Sequence, residues 1–510
     1  MNPQVFVSEL QRKGISLWVD GDGSLRYRAP AGTLSDELRS QIRSQRTELI
    51  DWLSSVIVPT ENVPDEGDPG ADLPFTPNQI WYLETVQPQD VDWSNIVSWQ
   101  FRKPVSPQLL KRVLFVLVSR HDLFRLRRYR QQDGRWAQHL IAQPDPLPLE
   151  VIDLQQESAA VDQREVLLQL GRRCQSRLSC LHGPILAMGV ILSKDRSKDQ
   201  AVISVHHFDG FSISLFLSEM MQAYSQLERL EPIHLPPTSR DYADYLRLLS
   251  ERCQQPDFLS RQRDFWLSQQ QLSPVPSIPR DAHGGEHFAA NSRQYELQFP
   301  LELRARIADF VMAHEGISFL DLVLFGLCRG YAQWSLGQPL YLDMEHHGRS
   351  GILDEIDLAR TLGPTTVKVP VRLPAVLPSA DLDALEIIRT VHRTTMKHAI
   401  GYGYLRYCRP DRHLADRLSA QPAPEVLLNN RSTLPATVLE SIVNLGGEPE
   451  WLPNPEQNKV TYTLIIECER GPDSLSLVFR YSSMIHREET IKRFASGVLD
   501  SIKRIMPGDS

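Results

Sequence analysis

The sequence has no apolar run approaching the roughly 20 residues that cross a bilayer; Val113 to Val118 is among the longest. Its start, Met1-Asn2-Pro3-Gln4, lacks the basic and apolar regions of a secretory leader. Cysteine is sparse and dispersed: Cys174, Cys180, Cys253, Cys328, Cys408 and Cys468 form no Cys-x-x-Cys pair. That argues against a disulfide or zinc framework and fits reduced thiols in a cytoplasmic protein. A basic excess is also missing. With a net charge of −8, the chain has no electrostatic footprint for nucleic acid. No Gly-x-Ser-x-Gly elbow marks a serine hydrolase. What is present is an ordinary globular composition, 41% hydrophobic and 23% charged, over 510 residues. That length exceeds one core and predicts about two or three domains.

Residues 1–57 read as a small unit. Gln4 to Lys13 has helical spacing, with Val5, Phe6 and Leu10 on one stripe and Gly14 as a stop. Ile15 to Val19 and Ser24 to Arg28 flank Asp20-Gly21-Asp22-Gly23, a hairpin signal. Ser35 then caps a helix predicted from Asp36 to Ser54. Arg39, Arg43 and Arg46 recur at helical spacing, and Arg26 and Arg28 share one strand face. Most such arginine rows are only solvated faces. Residues 58–73, proline-rich and acidic without a basic residue, read as an extended linker. The remainder divides into stretches 74–254 and 255–510.

Chemistry concentrates in Val205-His206-His207-Phe208-Asp209-Gly210-Phe211-Ser212. Ala201 to Val205 is a β-branched apolar strand, and Phe211 to Tyr224 carries Phe211, Leu215, Phe216 and Met220 at helical spacing. Two histidines therefore end a strand where a helix begins. Strand alternation predicts His206 and His207 on opposite faces. A neutral imidazole near pH 7 suits proton removal from an alcohol or amine. Free backbone N–H groups at Gly210 suit a developing oxyanion. The plain alternative is a histidine pair without chemistry. Metal binding by His206, His207 and Asp209, or by Glu345, His346 and His347, is disfavoured. Adjacent strand residues point apart, and no ligand-spaced helix pair is present.

The stretch resembles the His-His-x-x-x-Asp-Gly signature of the condensation-domain superfamily of nonribosomal peptide synthesis, which is related to chloramphenicol acetyltransferase. It departs from that signature in one respect: only Phe208 separates His207 from Asp209, where the family has three residues. Thr76-Pro77-Asn78-Gln79-Ile80-Trp81, Arg120-His121-Asp122-Leu123-Phe124-Arg125 and Asp241-Tyr242-Ala243-Asp244-Tyr245 are similar to further motifs of the family. Residues 1–57 look like the N-terminal β-hairpin docking domains of modular synthases. Such domains add a partner's short C-terminal segment as a strand, with charges setting specificity. Glu345-His346-His347-Gly348-Arg349, Asp357 to Pro364, Gly401 to Tyr407 and His486-Arg487-Glu488-Glu489-Thr490-Ile491 resemble the epimerization branch.

The resemblance implies an α+β fold: a helix-hairpin-helix docking domain, then two chloramphenicol-acetyltransferase-like α/β lobes in a V-shaped pseudo-dimer around a tunnel. It implies a free-standing acyltransferase that moves an acyl chain from a carrier protein's phosphopantetheine thioester to a hydroxyl or amine. A polyketide or peptide chain would thereby be released as an ester or amide in antibiotic biosynthesis. His207 would be the base and Gly210 the oxyanion donor, with His206 and Glu345 in support. Asp209 would pair with Arg349 as a structural tie. The implied partners are an acyl or peptidyl carrier protein, a small-molecule acceptor and the C-terminal segment of an upstream synthase subunit, met by Arg26, Arg28, Arg39 and Arg43. No bound cofactor, metal, nucleic acid or membrane is expected. Alternatives are a trans-acting epimerase using Glu345 as a second base and an inactive docking scaffold.

Overall fold

The computed structural model describes residues 6, 10, 15–19, 25–28, 34–55, 72–85, 94–155, 162–270, 277–349, 356–374, 380–430, 449–470 and 474–506. Near the N-terminus, β1 (Ser16–Val19) pairs antiparallel with β2 (Leu25–Arg28), and two helices follow, Asp36–Ser44 and Arg46–Ser55. Ser35 caps the first by accepting from Leu38 N. The single helix predicted over Asp36–Ser54 is broken at Gln45. Its N–H is shared between the carbonyls of Gln41 and Arg43, which tightens the turn. Phe6 and Leu10 bury against Ile15, Leu17, Ile42 and Leu49, and Leu230 of the main body packs on this cluster. Most of the predicted helix Gln4–Lys13, the turn Asp20–Gly23 and nearly all of the linker lie outside the described residues.

The body holds two large mixed sheets. In the first, β3 (Asn95–Gln100), β6 (Leu149–Asp153), β7 (Leu186–Leu192), β8 (Gln200–Val205) and β13 (Glu450–Trp451) run in the order β13-β3-β8-β7-β6. Successive residues face opposite sides. Ile96, Ala187, Ile191 and Val202 meet Leu167, Leu170 and Cys174 of the helix Gln163–Gln175. Val97, Met188, Val190 and Ile203 join the main core with Leu114, Leu117 and Phe216. Covered on both faces, β7 is buried along its whole length, which explains its uninterrupted apolar sequence. A separate ribbon pairs β4 (Leu126–Arg130) with β5 (Trp136–Leu140).

The second sheet orders β11 (Val367–Leu373), β10 (Leu340–His346), β12 (Val426–Asn430), β14 (Leu464–Arg470), β15 (Leu475–Ser482) and β9 (Ser292–Gln298). Against it lie the apolar helix Phe319–Trp334 and the amphipathic helix Glu488–Ile505. The lobes are not cleanly divided at residue 254. Glu450 and Trp451, from the second half, pair antiparallel with Ser98 and Val97 of the first sheet.

The motif around His486 has a structural consequence. This histidine is buried, neither ring nitrogen has a partner, and it stacks edge-on to Trp334 at 5.5 Å. Burial lowers its pKa to about 4. The unfolded chain protonates near 6.5, so stability from the neutral ring is full above that value and is lost as pH falls toward 4. Relative to a His486→Phe variant, the protein should lose about 2 kcal/mol between pH 7 and pH 5. Denaturant midpoints of both proteins at the two pH values measure this; a constant gap would overturn it.

Candidate active site

The chain leaves β8 at Val205, and His206 N still donates to Ile185 O at 2.8 Å. His207 then takes φ +59°, a left-handed conformation uncommon for a side chain of this size. This corrects the alternation argument. Period-2 alternation stops with the strand, and the rings of His206 and His207 lie 5.9 Å apart, inclined by 36°. The short motif is anchored by Phe208, which buries at 5.9 Å from both Phe124 and Phe216, while its carbonyl accepts from Asn95 Nδ2. Asp209 caps the helix Gly210–Glu228 by accepting from Ser212 N at 2.7 Å. Gly210 is exposed, and a Cβ there would meet nothing within 4 Å, so this helix start faces open space.

His207 is half-buried, with Nε2 shut off from solvent and without a hydrogen-bond partner. The Tyr82 ring lies edge-on to it, with ring centroids 6.5 Å apart. Burial first, then the positive charge of Arg128 and then His206, hold its pKa well below the ordinary histidine value. The ring is therefore neutral at physiological pH, the form able to accept a proton.

Asp209 and Arg349 meet, and they do so inside a larger clamp. Arg349 Nη2 donates to both Asp209 oxygens at 3.2 Å, to Ser212 Oγ and to Gly363 O. Nη1 donates to Leu358 O and Thr361 O. The guanidinium also stacks on Phe211 at 4.3 Å. Thr365 donates to Asp209 through N and Oγ1. With its acceptor sites filled by an arginine and three other donors, Asp209 is a poor proton carrier. The clamp needs two glycines. Gly348 (φ +68°) has no room for a Cβ against Thr365 O, nor Gly363 (φ +144°) against the Tyr242 ring.

Two sequence motifs reinforce the same join. Asp122 accepts from Tyr242 N and Ala243 N, capping the helix Tyr242–Gln254, and His121 Nε2 lies 2.8 Å from Glu219 Oε2. Arg360 of the second half reaches the other Glu219 oxygen at 2.5 Å. Thr76 and Gln79 cap the helix Pro77–Thr85 reciprocally, Thr76 N to Gln79 Oε1 and Gln79 N to Thr76 Oγ1.

Glu345 lies on β10 opposite Lys368 of β11. Among the described residues no hydrogen bond or ion pair joins it to His207. It belongs instead to a polar cluster. Burial lowers the Lys368 pKa, Glu345 and Asp343 oppose that shift, and the ammonium sits 3.3 Å from the Trp81 ring centroid. Asp343 accepts from Tyr462 Oη at 2.8 Å, and burial raises its pKa to about 6. A small cavity of about 20 Å³ lies here, lined by Thr76, Trp81, Tyr245, Thr365, Lys368 and Tyr407 among others. His207 is not among its lining residues, although Trp81 adjoins Tyr82 and Thr365 bonds to Asp209. His346 and His347 stack at 4.3 Å and accept the N–H groups of Gly348 and Arg349 through Nδ1, which shapes the turn into Arg349.

Sequence reasoning missed Arg128, Tyr82 and Lys368. Each is polar in an element whose burial only the tertiary fold reveals. In the docking unit, Arg26, Arg39 and Arg43 are exposed, while the side chain of Arg28 lies outside the described residues. Among the described residues no helix is long and apolar enough to cross a membrane, and no three potential ligands converge on a metal position.

Residues 71–508 match the family model of the condensation domain, and residues 4–55 that of the TubC N-terminal docking domain. One component of the linear gramicidin synthase of Brevibacillus parabrevis is 25% identical over 449 residues, 87% of this chain but 6% of that protein. The chain thus spans a small fraction of such a curated relative. The epimerization domain from the third module of tyrocidine synthetase B superposes with a TM-score of 0.75 at 20% identity, over 87% of this chain and 98% of that one. A structure described as the molecular basis for condensation domain-mediated chain release from the enacyloxin polyketide synthase gives 0.64 at 16% identity, over 100% and 98%. At these identities the likeness is one of fold, the chloramphenicol-acetyltransferase-like architecture described above. The chain belongs to the condensation-domain family and carries a TubC-type docking domain at its N-terminal end.

Proposed function

We propose that the chain is a condensation-type acyltransferase acting in the cytoplasm. It passes an acyl chain from the phosphopantetheine thioester of a carrier protein to a hydroxyl or amine of a small acceptor, releasing a polyketide or peptide chain as an ester or amide. The observation that carries this reading is the unpartnered, neutral Nε2 of His207 next to an open helix N-terminus. Nε2 takes the nucleophile's proton as its oxygen or nitrogen attacks the thioester carbonyl. Backbone N–H groups at Gly210 steady the oxyanion, and the proton leaves with the pantetheine thiolate. No acyl-enzyme forms. Much of the rate comes from holding both reactants together at this one site. The enacyloxin likeness supports a releasing role.

The docking unit recruits an upstream synthase through strand addition at its hairpin, with Arg26, Arg28, Arg39 and Arg43 reading acidic side chains. Intact-mass spectrometry of an acylated carrier with a panel of nucleophiles tests the transfer; acyl loss only to water would defeat it. Deleting residues 1–57 should slow transfer about tenfold or more when the loaded upstream protein is dilute, with recovery at saturation. A truncated enzyme as fast at every concentration would remove the docking role.

The likeness to an epimerization domain and the motif containing Glu345 favour a second reading, epimerization of a carrier-bound thioester in trans. Deuterium entry at the α-carbon from heavy water, without any acceptor, would select it.

A further inference from the structure

Arg128 stands out among the buried cations. It is 2% exposed on β4, and its Nε, Nη1 and Nη2 all lack a hydrogen-bond partner. Its neighbour Arg127 is satisfied by Phe124 O, Leu126 O and Asp145. Arg349, its side chain 4% exposed, uses both terminal nitrogens. A guanidinium offers five donors in a fixed fork. Leaving that fork dry and unpaired is among the least favourable arrangements a fold can hold, so such a group marks a position that something else completes.

The surroundings say what is missing. The groups that feel the Arg128 charge are Cys180, Tyr242, Tyr82 and His207. None is a carboxylate. Burial raises the Tyr242 pKa well above its ordinary value, so that phenol stays neutral. The Phe75 ring centroid lies 5.8 Å from the guanidinium carbon. A planar anion is the natural complement of the unfilled fork. The pantetheine phosphate is a poor candidate, because it sits at the opposite end of its arm from the thioester, whereas Arg128 neighbours His207.

We propose that the acceptor substrate is a hydroxy or amino acid whose free carboxylate binds the Arg128 guanidinium while its hydroxyl or amine is presented to His207. This rests on the acyl-transfer reading and narrows it. The carboxylate does more than anchor. When His207 takes the nucleophile's proton, the imidazolium is repelled by the Arg128 charge, and a carboxylate bound to the guanidinium offsets that repulsion. Acids therefore gain in kcat as well as in KM, whereas a remote anchor changes KM alone.

The test compares 3-hydroxybutyrate, β-alanine and 3-hydroxybenzoate, each with its primary amide, as acceptors for an acylated carrier protein. Wild-type enzyme should favour each acid by at least about tenfold in kcat/KM, and Arg128→Met and Arg128→Gln should erase that preference. Arg128→Met should also raise Tm, because it removes an unpaired buried charge, so loss of preference without loss of folding is readable. Equal rates for acid and amide in wild type overturn the proposal. So does an equal loss for both in the variants, which would make Arg128 an oxyanion donor. Calorimetric binding separates this proposal from the transfer reading. Tighter binding of acid than amide that vanishes in Arg128→Met supports the carboxylate site even if no acyl group moves. Absence of that preference overturns the site even where transfer proceeds.

Discussion

His207→Ala should lower acyl transfer by about 10²–10⁴-fold, the usual contribution of a positioned general base, while Tm changes little. Nε2 makes no hydrogen bond, so its removal breaks none. His207→Asn is the stricter test. Asparagine tolerates left-handed backbone better than most residues, so the φ of +59° is kept while the base is lost. Steady-state rates on a loaded carrier, with thermal melts in parallel, give both readouts. Unchanged transfer in both variants would leave His207 a structural residue. Unchanged docking with no transfer even in wild type would point to a scaffold.

Arg349→Met should have the largest effect on stability. It leaves the Asp209 carboxylate, 2% exposed as a side chain, without its counter-ion. It also removes one donor each from Leu358 O, Thr361 O and Gly363 O at the join of the two halves. Breaking a buried pair from one side costs about 3–5 kcal/mol. Removing both charges in Asp209→Asn/Arg349→Met should recover part of that, since no isolated charge then remains. Denaturant unfolding of the two single variants and the double variant measures the coupling. Additive losses would mean that the ion pair is incidental to the join. Lost activity in Arg349→Met with restored stability in the double variant would separate folding from the placement of His207.

How far these residues were legible in the sequence follows from the range of the forces involved. The helix after Asp209 is readable because the spacing of Phe211, Leu215, Phe216 and Met220 is a local signal. The strand before His206 is equally plain. The pairing of Asp209 with Arg349, 140 positions apart, came from family resemblance; no local pattern in the sequence carries it. Alternation misled at His207 because it presumes that the strand continues, and the left-handed turn ends it. Nothing local singles out Arg128, since Arg127-Arg128 in a short strand has the composition of a solvated basic edge. Only the tertiary fold, which leaves it 2% exposed and near the Phe75 ring, makes it an interior cation. Glu345 looked like a partner for His207, yet strand register sets it opposite Lys368.

The pairing of Glu450 and Trp451 with β3 bears on how this protein is made. A ribosome delivers β3 long before it delivers residue 451, and Leu452, whose N–H donates to Ile96 O, comes later still. Through that interval the nascent first sheet presents a bare hydrogen-bonding edge at Ile96, Val97 and Ser98, open to pairing with other chains. Severing the polypeptide near residue 254 to obtain separate lobes would make that temporary hazard permanent, and the amino-terminal fragment would be expected to self-associate rather than remain a soluble half-enzyme.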